Sequence, residues 1–148
     1  MGNTALITGS HVAEHGGLAI YLHWNGDYEP VWAFCKYCQL RGFRSPDVDE
    51  PYAIARLAQV IGNFFGGTLS VGVVYIPEGE LEDYAKENSN GAWIVNNKWE
   101  IIDNASNYVD LGKVKFSKVD AYSRLLELDR HQPSGDRLGV ARLQAAME

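Results

Sequence analysis

Two short segments near the start of the chain predict a β-hairpin. Residues 4–12 and 18–24 both have the character of strands, and in the second Leu18, Ile20 and Leu22 alternate with more mixed side chains. The Gly16-Gly17 pair between them supplies the positive φ angles that a tight reversal needs. We therefore expect two antiparallel strands whose shared surface has one aliphatic face.

Helical spacing of apolar residues follows the hairpin. Asp27 is a suitable N-cap for a helix that runs to about Arg41. Asp49 or Glu50 can cap a second helix, and Gly66-Gly67 would end it. These signals are local, so they predict both helices without reference to the rest of the chain.

Further strands are predicted in the second half of the chain. Residues 68–76 are apolar or small on both faces, which indicates a central strand covered on both sides. Residues 92–102 have the pattern of a second hairpin. Its predicted two-residue turn, Asn96-Asn97, would place Ile94 opposite Trp99.

The C-terminal part predicts one helix over residues 119–130 and a short final helix over residues 138–147. The order of elements favours the α+β class: an antiparallel sheet (N-terminal hairpin, central strand, second hairpin) with two to three helices packed on one face. We assign residues 1–132 to a single domain. Residues 133–148 are a C-terminal tail or short helix, which would fray, dock on another subunit or complete the core.

Charge is distributed unevenly along the chain. Residues 77–110 contain eight acids and two bases, which accounts for the whole net charge of −6. A nucleic-acid surface needs clustered Lys and Arg, and the sequence shows no such cluster, so we expect no direct contact with DNA or RNA. An acidic face instead suits a basic partner.

Two features bear on location. No apolar run approaches the roughly 20 residues that a membrane-spanning helix needs, so we expect no membrane partner. The first residues lack the basic and apolar regions of a secretory signal. The expected location is therefore cytoplasmic.

Two short motifs resemble metal or redox sites. The segment His11-Val12-Ala13-Glu14-His15 matches the H-x-x-E-H pattern of zinc peptidases, which requires both histidines on one helix face. Here it lies between a strand and a Gly pair, so we expect no metal site. Cys35 and Cys38 lie on the apolar stripe of a predicted helix rather than at its start, which favours buried thiols.

Residues 62–68 are rich in glycine but do not have the order of a phosphate-binding loop. They follow a helix and precede a strand, whereas a P-loop runs from strand to helix. Asn63 and Thr68 still offer small polar groups beside two Phe rings, which suits a small polar ring or a peptide. No G-x-S-x-G is present, and no nucleophile is placed beside a base, so we assign no catalytic residue and no cofactor.

The segment His23-Trp24-Asn25-Gly26-Asp27 has two interpretations. In the structural one Trp24 packs, Asn25-Gly26 turns the chain, and Asp27 caps a helix. In the functional one, a strand end that leads into a helix N-terminus gathers ring and amide groups able to bind an anion or stack on a ring. The structural interpretation is sufficient for most of these residues.

Residues 20–26, Ile-Tyr-Leu-His-Trp-Asn-Gly, resemble a signature of small phage and prophage proteins. In those proteins a hairpin ends in HWDG or HWNG, a Tyr-Pro-like pair follows, and a helix begins; Tyr28-Glu29-Pro30 takes that place imperfectly here. Residues 52–57 and 61–70 also look like proteins of this kind, so the resemblance covers about the first half of the chain. The resemblance implies a genetic setting rather than a reaction, because no single activity is common to such proteins. Small phage proteins without catalytic motifs often act by binding, for example by blocking a host protein or sequestering a signalling nucleotide.

The leading hypothesis is a non-enzymatic phage- or prophage-type binding protein that modulates a host system by sequestering a small polar, nucleotide-like ligand, as a homo-oligomer in the host cytoplasm. The alternative is an inhibitor that binds a basic host defence protein through its acidic surface. The third and lowest-ranked hypothesis is a small metal-dependent hydrolase that uses His11, Glu14 and His15. The candidate ligand-binding residues are His23, Trp24, Asn25, Arg41, Arg44, Asn63 and Thr68, and the candidate protein-contact residues are Glu78, Glu80, Glu82, Asp83, Trp93 and Trp99.

Overall fold

The computed structural model of the chain describes residues 3–66, 71–106, 109–114 and 116–148. Within these ranges five strands form one sheet in the order β3-β2-β1-β4-β5. The β1–β4 pair is parallel, and the other three neighbouring pairs are antiparallel. The strands are β1 Ala5–Gly9, β2 Gly17–Leu22, β3 Val71–Ile76, β4 Ala92–Val95 and β5 Ile101–Asn104.

The described residues also contain six helices, so the predicted α+β class is confirmed while the helix count exceeds the two to three expected. None of these helices is both long enough and apolar enough to cross a bilayer. They are α1 Val12–His15, α2 Tyr28–Leu40, α3 Glu50–Phe65, α4 Leu81–Lys86, α5 Lys118–Arg130 and α6 Val140–Ala146.

Helices cover both faces of the sheet, which corrects the expectation of helices on one face. Successive strand side chains point to opposite faces. Ile20 and Leu22 pack in the main core with α2, α3 and α5, whereas Ala19 packs in a second cluster with residues of α1 and α4. Strand β1 is buried at all five positions because it is the middle strand and is covered on both sides.

The predicted central strand, residues 68–76, is an edge strand over its described part. Strand β3 pairs with β2 alone, and Val73 and Tyr75 are 55% and 62% exposed. Its sequence lacks the charges and proline that often mark an edge, and it therefore has the pattern of a buried strand. The parallel pairing of β4 with β1 makes β1 the central strand instead.

The second hairpin forms with a longer turn and a different register from those predicted. Val95 pairs with Ile101, and the Asn96 side chain accepts hydrogen bonds from the backbone N–H groups of Lys98 and Glu100, both at 2.9 Å. Trp99 adopts a φ of +63° and buries its ring. The predicted pairing of Ile94 with Trp99 is wrong because the indole turns into the core rather than extending along a strand.

Residues 138–147 join the main core. Leu143 of α6 is fully buried, and Leu138 and Met147 pack against the same cluster. The Asp129 carboxylate anchors the segment, because it accepts hydrogen bonds from the Tyr37 hydroxyl (2.6 Å) and from the backbone N–H groups of Leu138 (2.8 Å) and Gly139 (3.0 Å). The C-terminal segment thereby forms one wall beside the C-terminal end of α2.

Candidate functional site

The turn between β2 and α2 is mainly a structural joint. Asn25 has a φ of +59°, and Gly26 approaches the N-terminal segment so closely that its N–H donates to the carbonyl of Asn3 at 2.8 Å. A Cβ at Gly26 would lie 2.5 Å from that same carbonyl oxygen. The Asp27 carboxylate accepts from the Asn3 amide at 2.9 Å instead of capping α2 with its side chain. Asn25 and Gly26 therefore set the direction of the chain into α2.

His23 and Trp24 are exposed at this turn. The Trp24 ring, 48% exposed, makes an edge contact with the His23 ring, with centroids 4.8 Å apart. The Tyr21 hydroxyl lies 3.1 Å from Nδ1 of His23. The three rings form a small aromatic group at the end of β2. None of the three residues lines either of the two clefts described below.

The acidic surface predicted for protein contact consists of exposed carboxylates without the two tryptophans. Trp93 is 1% exposed and Trp99 is 4% exposed. Their indole N–H groups donate to the backbone carbonyls of Gly26 (2.7 Å) and Phe43 (2.9 Å), so both rings belong to the interior. The exposed carboxylates named for this surface are Glu78, Glu80, Glu82 and Asp83.

A cleft of about 570 Å³ lies beside α4. Glu82, Asp83 and Asp103 contribute to its rim, and Ile94 and Ile102 contribute apolar surface. The chemistry of this cleft is acidic with an apolar component.

The H-x-x-E-H segment folds into a single helical turn, α1, that begins after His11. The two ring nitrogens of His11 contact carboxylates: Nδ1 lies 2.8 Å from Asp47 and Nε2 is bonded to Glu50. The Ser10 hydroxyl donates to Asp47 rather than to the imidazole. Among the described residues no group of three or more His, Cys, Asp or Glu side chains has an arrangement suited to a metal ion.

This His11 network joins the end of β1 to the segment between α2 and α3. Gly9 and Gly17 make room for it, since a Cβ at Gly9 would lie 2.7 Å from Asp47 and one at Gly17 would collide with Glu50. Burial, the largest single influence, lowers the pKa of His11, but hydrogen bonds and charges from both carboxylates raise it above 6.5. For Asp47, burial is again the largest single influence and raises the pKa, because it disfavours the charged carboxylate. The hydrogen bonds from Ser10 and His11 more than offset this and bring the Asp47 pKa below 3.8.

We expect His11→Gln to lower the free energy of unfolding most between about pH 4 and 6.5. Because the His11 pKa is higher in the folded state than in the unfolded state, protonated His11 stabilises the fold. This contribution is complete at pH values below the pKa of the unfolded state and is lost as the pH rises through the pKa of the folded state. Because the Asp47 pKa is lower in the folded state, ionised Asp47 stabilises the fold at pH values above the pKa of the unfolded state. This contribution is lost as the pH falls through the pKa of the folded state. Urea unfolding from pH 4 to 8 measures the difference, with the exposed His15→Gln as control; a difference that does not vary with pH contradicts the prediction.

Cys35 and Cys38 are buried, free thiols in α2, as predicted. Burial raises the pKa of Cys35 to about 12 and that of Cys38 well above its usual value. Thiols with such pKa values stay protonated at neutral pH, and the thiolate is the reactive form. The pair therefore contributes apolar packing.

A second cleft, about 260 Å³, lies where the C-terminal end of α2, the middle of α3 and the C-terminal segment meet. Unlike the cleft beside α4, it presents guanidinium and amide groups. We call it the arginine cleft and define it by Arg41, Phe43, Arg56, Gln59, Asn63 and Asp136.

Aromatic rings hold the guanidinium groups in place. The Arg41 guanidinium lies 5.0 Å from the Phe43 ring centroid, and Arg44 and Arg56 lie 4.5 Å and 5.1 Å from that of Tyr52. The Phe43 and Tyr52 rings themselves pack edge to face at 6.2 Å. Stacking of this kind fixes a guanidinium plane at small cost to its hydrogen-bonding edge.

Positive charge exceeds negative charge around the arginine cleft. Asp136 lies 3.6 Å from Arg41, and Asp49 lies 3.4 Å from Arg44. Arg56 donates to the neutral amide of Gln59 at 2.8 Å, and in the described part of the chain it has no carboxylate within 4.0 Å. The cleft is thus an electropositive site on an acidic protein.

Two further arginines reach the same end of the molecule from the C-terminal segment. Arg137 donates to the carbonyl of Gln132 at 2.8 Å, and Arg142 donates to the carbonyl of Leu40 at 2.7 Å. The sequence shows no basic cluster because these side chains come from segments far apart in the chain. Folding assembles the cluster.

The candidate ligand-binding residues fall into two groups that cannot share one small ligand. Arg41 and Asn63 line the arginine cleft and Arg44 adjoins it, whereas residues 23–25 precede α2. Helix α2 has 13 residues, which at 1.5 Å per residue separates its ends by about 20 Å. Thr68 lies outside the described residues.

Sequence reasoning missed Arg56, Gln59 and the buried Gln132 beneath the cleft. A signal was present for the first two, since Arg56, Gln59 and Asn63 follow the i, i+3, i+7 spacing of one helix face. Gln132 follows α5 and gave no such signal.

Comparison with known proteins found no matching family model, no similar curated protein and no similar solved structure.

Proposed function

We propose that this chain is a non-enzymatic binding protein that holds a small anionic, nucleotide-like ligand in the arginine cleft. The observation that carries the proposal is the pairing of Arg41 and Arg56 in one cleft, each stacked on an aromatic ring. Guanidinium groups bind phosphate and carboxylate through paired, charge-assisted hydrogen bonds. Arg56, without a carboxylate partner in the described chain, is available for such a bond.

The size and the polar groups of the cleft favour a ligand no larger than a mononucleotide. Its volume of about 260 Å³ lies just below the usual range for small-molecule pockets, roughly 300–1,000 Å³. The Gln59 and Asn63 amides add uncharged hydrogen-bonding groups to the two cations. A phosphate bound to the arginines would leave the remainder of a ligand beside those amides.

The resemblance of residues 20–26 to small phage proteins supports a role in which ligand binding counters or modulates a host system. A protein that withholds a nucleotide signal from a host system acts by affinity and abundance rather than by turnover. Assembly as a homo-oligomer in the host cytoplasm remains part of the proposal.

The double change Arg41→Gln/Arg56→Gln should weaken binding of a nucleoside monophosphate roughly 100-fold or more, since a hydrogen bond to a charged group contributes about 1.5–3 kcal/mol. Thermal shift across a panel of linear and cyclic nucleotides would identify the ligand, and calorimetry would measure its affinity. Recovery of the ligand intact would support binding without catalysis, whereas a cleaved ligand would indicate an enzyme.

The matched control is Lys113→Gln/Lys118→Gln, which removes the same charge near the other end of α5. Helix α5 has 13 residues, so its ends lie roughly 20 Å apart. Equal loss of affinity in both double variants would mean that net charge, not the arginine cleft, attracts the ligand. A panel in which no anion raises the melting temperature would refute the proposal.

The acidic cleft beside α4 supports the second candidate, direct binding of a basic host protein. Carboxylates around apolar surface suit a lysine- or arginine-bearing segment, with Ile94 and Ile102 contacting its aliphatic stems. In the same thermal-shift experiment, stabilisation by a basic peptide and by no nucleotide would favour this candidate. That stabilisation should weaken with added salt, because exposed charges are screened.

A further inference from the structure

The buried side chain of Gln132 has one possible amide orientation. It is 2% exposed, and its Nε2 donates to the backbone carbonyls of Val60 (3.1 Å) and Leu128 (3.3 Å). Because carbonyl oxygens can only accept, the amide nitrogen must face them. The remaining atom, Oε1, accepts a hydrogen bond from Nδ2 of Asn63 at 3.0 Å.

This bond in turn fixes the orientation of Asn63. Asn63 lines the arginine cleft and donates one of its two amide hydrogens to Gln132, which leaves Oδ1 as an acceptor. Among the described residues Oδ1 has no hydrogen-bond partner. The chain of bonds from Val60 and Leu128 through Gln132 therefore orients the Asn63 amide and leaves its Oδ1 as an acceptor without a partner among the described residues.

Gln59 presents the complementary group. Its Oε1 accepts from Arg56 at 2.8 Å, which leaves the two amide hydrogens for another partner. The cleft thus offers two guanidinium groups for an anion, a neutral acceptor and a neutral donor. A bare anion would use only the first of these.

We infer that Asn63 determines the specificity of the arginine cleft by selecting a phosphate ester whose ring carries an N–H donor, such as an amino-bearing nucleobase. This inference rests on the proposed function. Gln132 is a positioning residue that acts through Asn63. A ligand whose ring has no N–H group would leave the Asn63 oxygen facing it without a partner, which reduces affinity.

Two pairs of probes test the inference, each pair differing by one exocyclic amino group. Adenosine 5′-monophosphate is compared with purine riboside 5′-monophosphate, and cytidine 5′-monophosphate is compared with its analogue lacking the amino group. Calorimetry should show the amino-bearing member of at least one pair binding about five- to tenfold more tightly. Asn63→Leu should bring that ratio close to one.

The variant Gln132→Met keeps the volume of the buried side chain and removes the bonds that orient Asn63. It should reduce the affinity ratio to about twofold, because a free Asn63 amide can rotate to present either group. The ratio within a pair is informative here because a general loss of binding or of folded protein leaves it unchanged.

The outcomes separate this inference from the proposed function. Equal affinity within both pairs, in a protein whose nucleotide binding depends on Arg41 and Arg56, overturns the specificity role of Asn63 and leaves the proposed function standing. An unchanged ratio in Asn63→Leu does the same. Absence of any nucleotide binding that depends on the two arginines overturns both.

Discussion

Replacing Trp93 with alanine should lower the free energy of unfolding by about 3–5 kcal/mol, the largest effect we expect from a single substitution. The ring is 1% exposed and makes an edge contact with Tyr28 at 5.7 Å. Its indole N–H donates to the carbonyl of Gly26 at 2.7 Å. The change would leave a cavity beside β4 and a carbonyl without its partner, and urea unfolding would measure the loss.

Trp24→Ala is the matched control, because it removes the same side chain from a position that is 48% exposed. We expect it to change the free energy of unfolding by about 1 kcal/mol or less. Trp93→Phe separates packing from hydrogen bonding and should cost about 1–2 kcal/mol. A loss in Trp24→Ala as large as that in Trp93→Ala would contradict the assignment of Trp93 to the interior and Trp24 to the surface.

Asp129→Ala should lower the free energy of unfolding by about 3–5 kcal/mol, an effect of the same size. Asp129 is 6% exposed and accepts hydrogen bonds from the Tyr37 hydroxyl and from the N–H groups of Leu138 and Gly139. The change leaves three donors without their acceptor and releases the start of α6. Hydrogen exchange should show lost protection at the Leu143 amide, which bonds to the Gly139 carbonyl in the intact protein.

Two comparisons isolate the role of the buried carboxylate. Asp129→Asn keeps one oxygen as an acceptor but replaces the second oxygen with an NH2 group, which cannot accept. The decrease in its free energy of unfolding should therefore be smaller than that of Asp129→Ala. Asp120→Ala, in the exposed first turn of the same helix, should cost about 1 kcal/mol or less. If Asp129→Ala left exchange at Leu143 unchanged, the carboxylate would not be what holds α6 in place.

The two long N-terminal helices follow directly from local chemistry. Helix α3 is preceded by Asp49, has a proline in its first turn and ends at Gly66, which has the left-handed φ of +68° that glycine adopts readily. Helix α2 begins after Asp27 and ends at Leu40, close to the predicted limits. Such signals involve residues next to one another in the chain, so they can be read without knowledge of the fold.

The sheet order depends on contacts between distant residues and could not be predicted in the same way. Strand β3 has the apolar pattern of a central strand, yet its position is set by β4, which pairs with β1. Trp93 and Trp99 were expected on the acidic surface because acids surround them in the sequence. Their carbonyl partners, Gly26 and Phe43, lie far away in the chain and draw both rings inward.

The arginine cleft was only partly predictable for the same reason. The residue types of Arg41, Arg44 and Asn63 indicate ligand binding, but the sequence does not separate them from His23 and Trp24, which lie at the other end of α2. The polar spacing of Arg56, Gln59 and Asn63 along α3 could have added the missing face. The contribution of Gln132 requires the tertiary contact between α3 and the end of α5.

The parallel pairing of β1 with β4 also constrains the order of events during folding. Thr8 and Ile94, which pair in the sheet, are 86 positions apart, whereas Ala5 and Leu22, which pair between β1 and β2, are only 17 positions apart. Pairing over such a distance slows folding, because closing a long loop costs entropy before the contact between the strands can compensate for it. On the ribosome, the edge of β1 that pairs with β4 keeps its backbone N–H and C=O groups unpaired until β4 is synthesised. The interval between the synthesis of β1 and that of β4 is therefore when the nascent chain is most prone to pair with another chain.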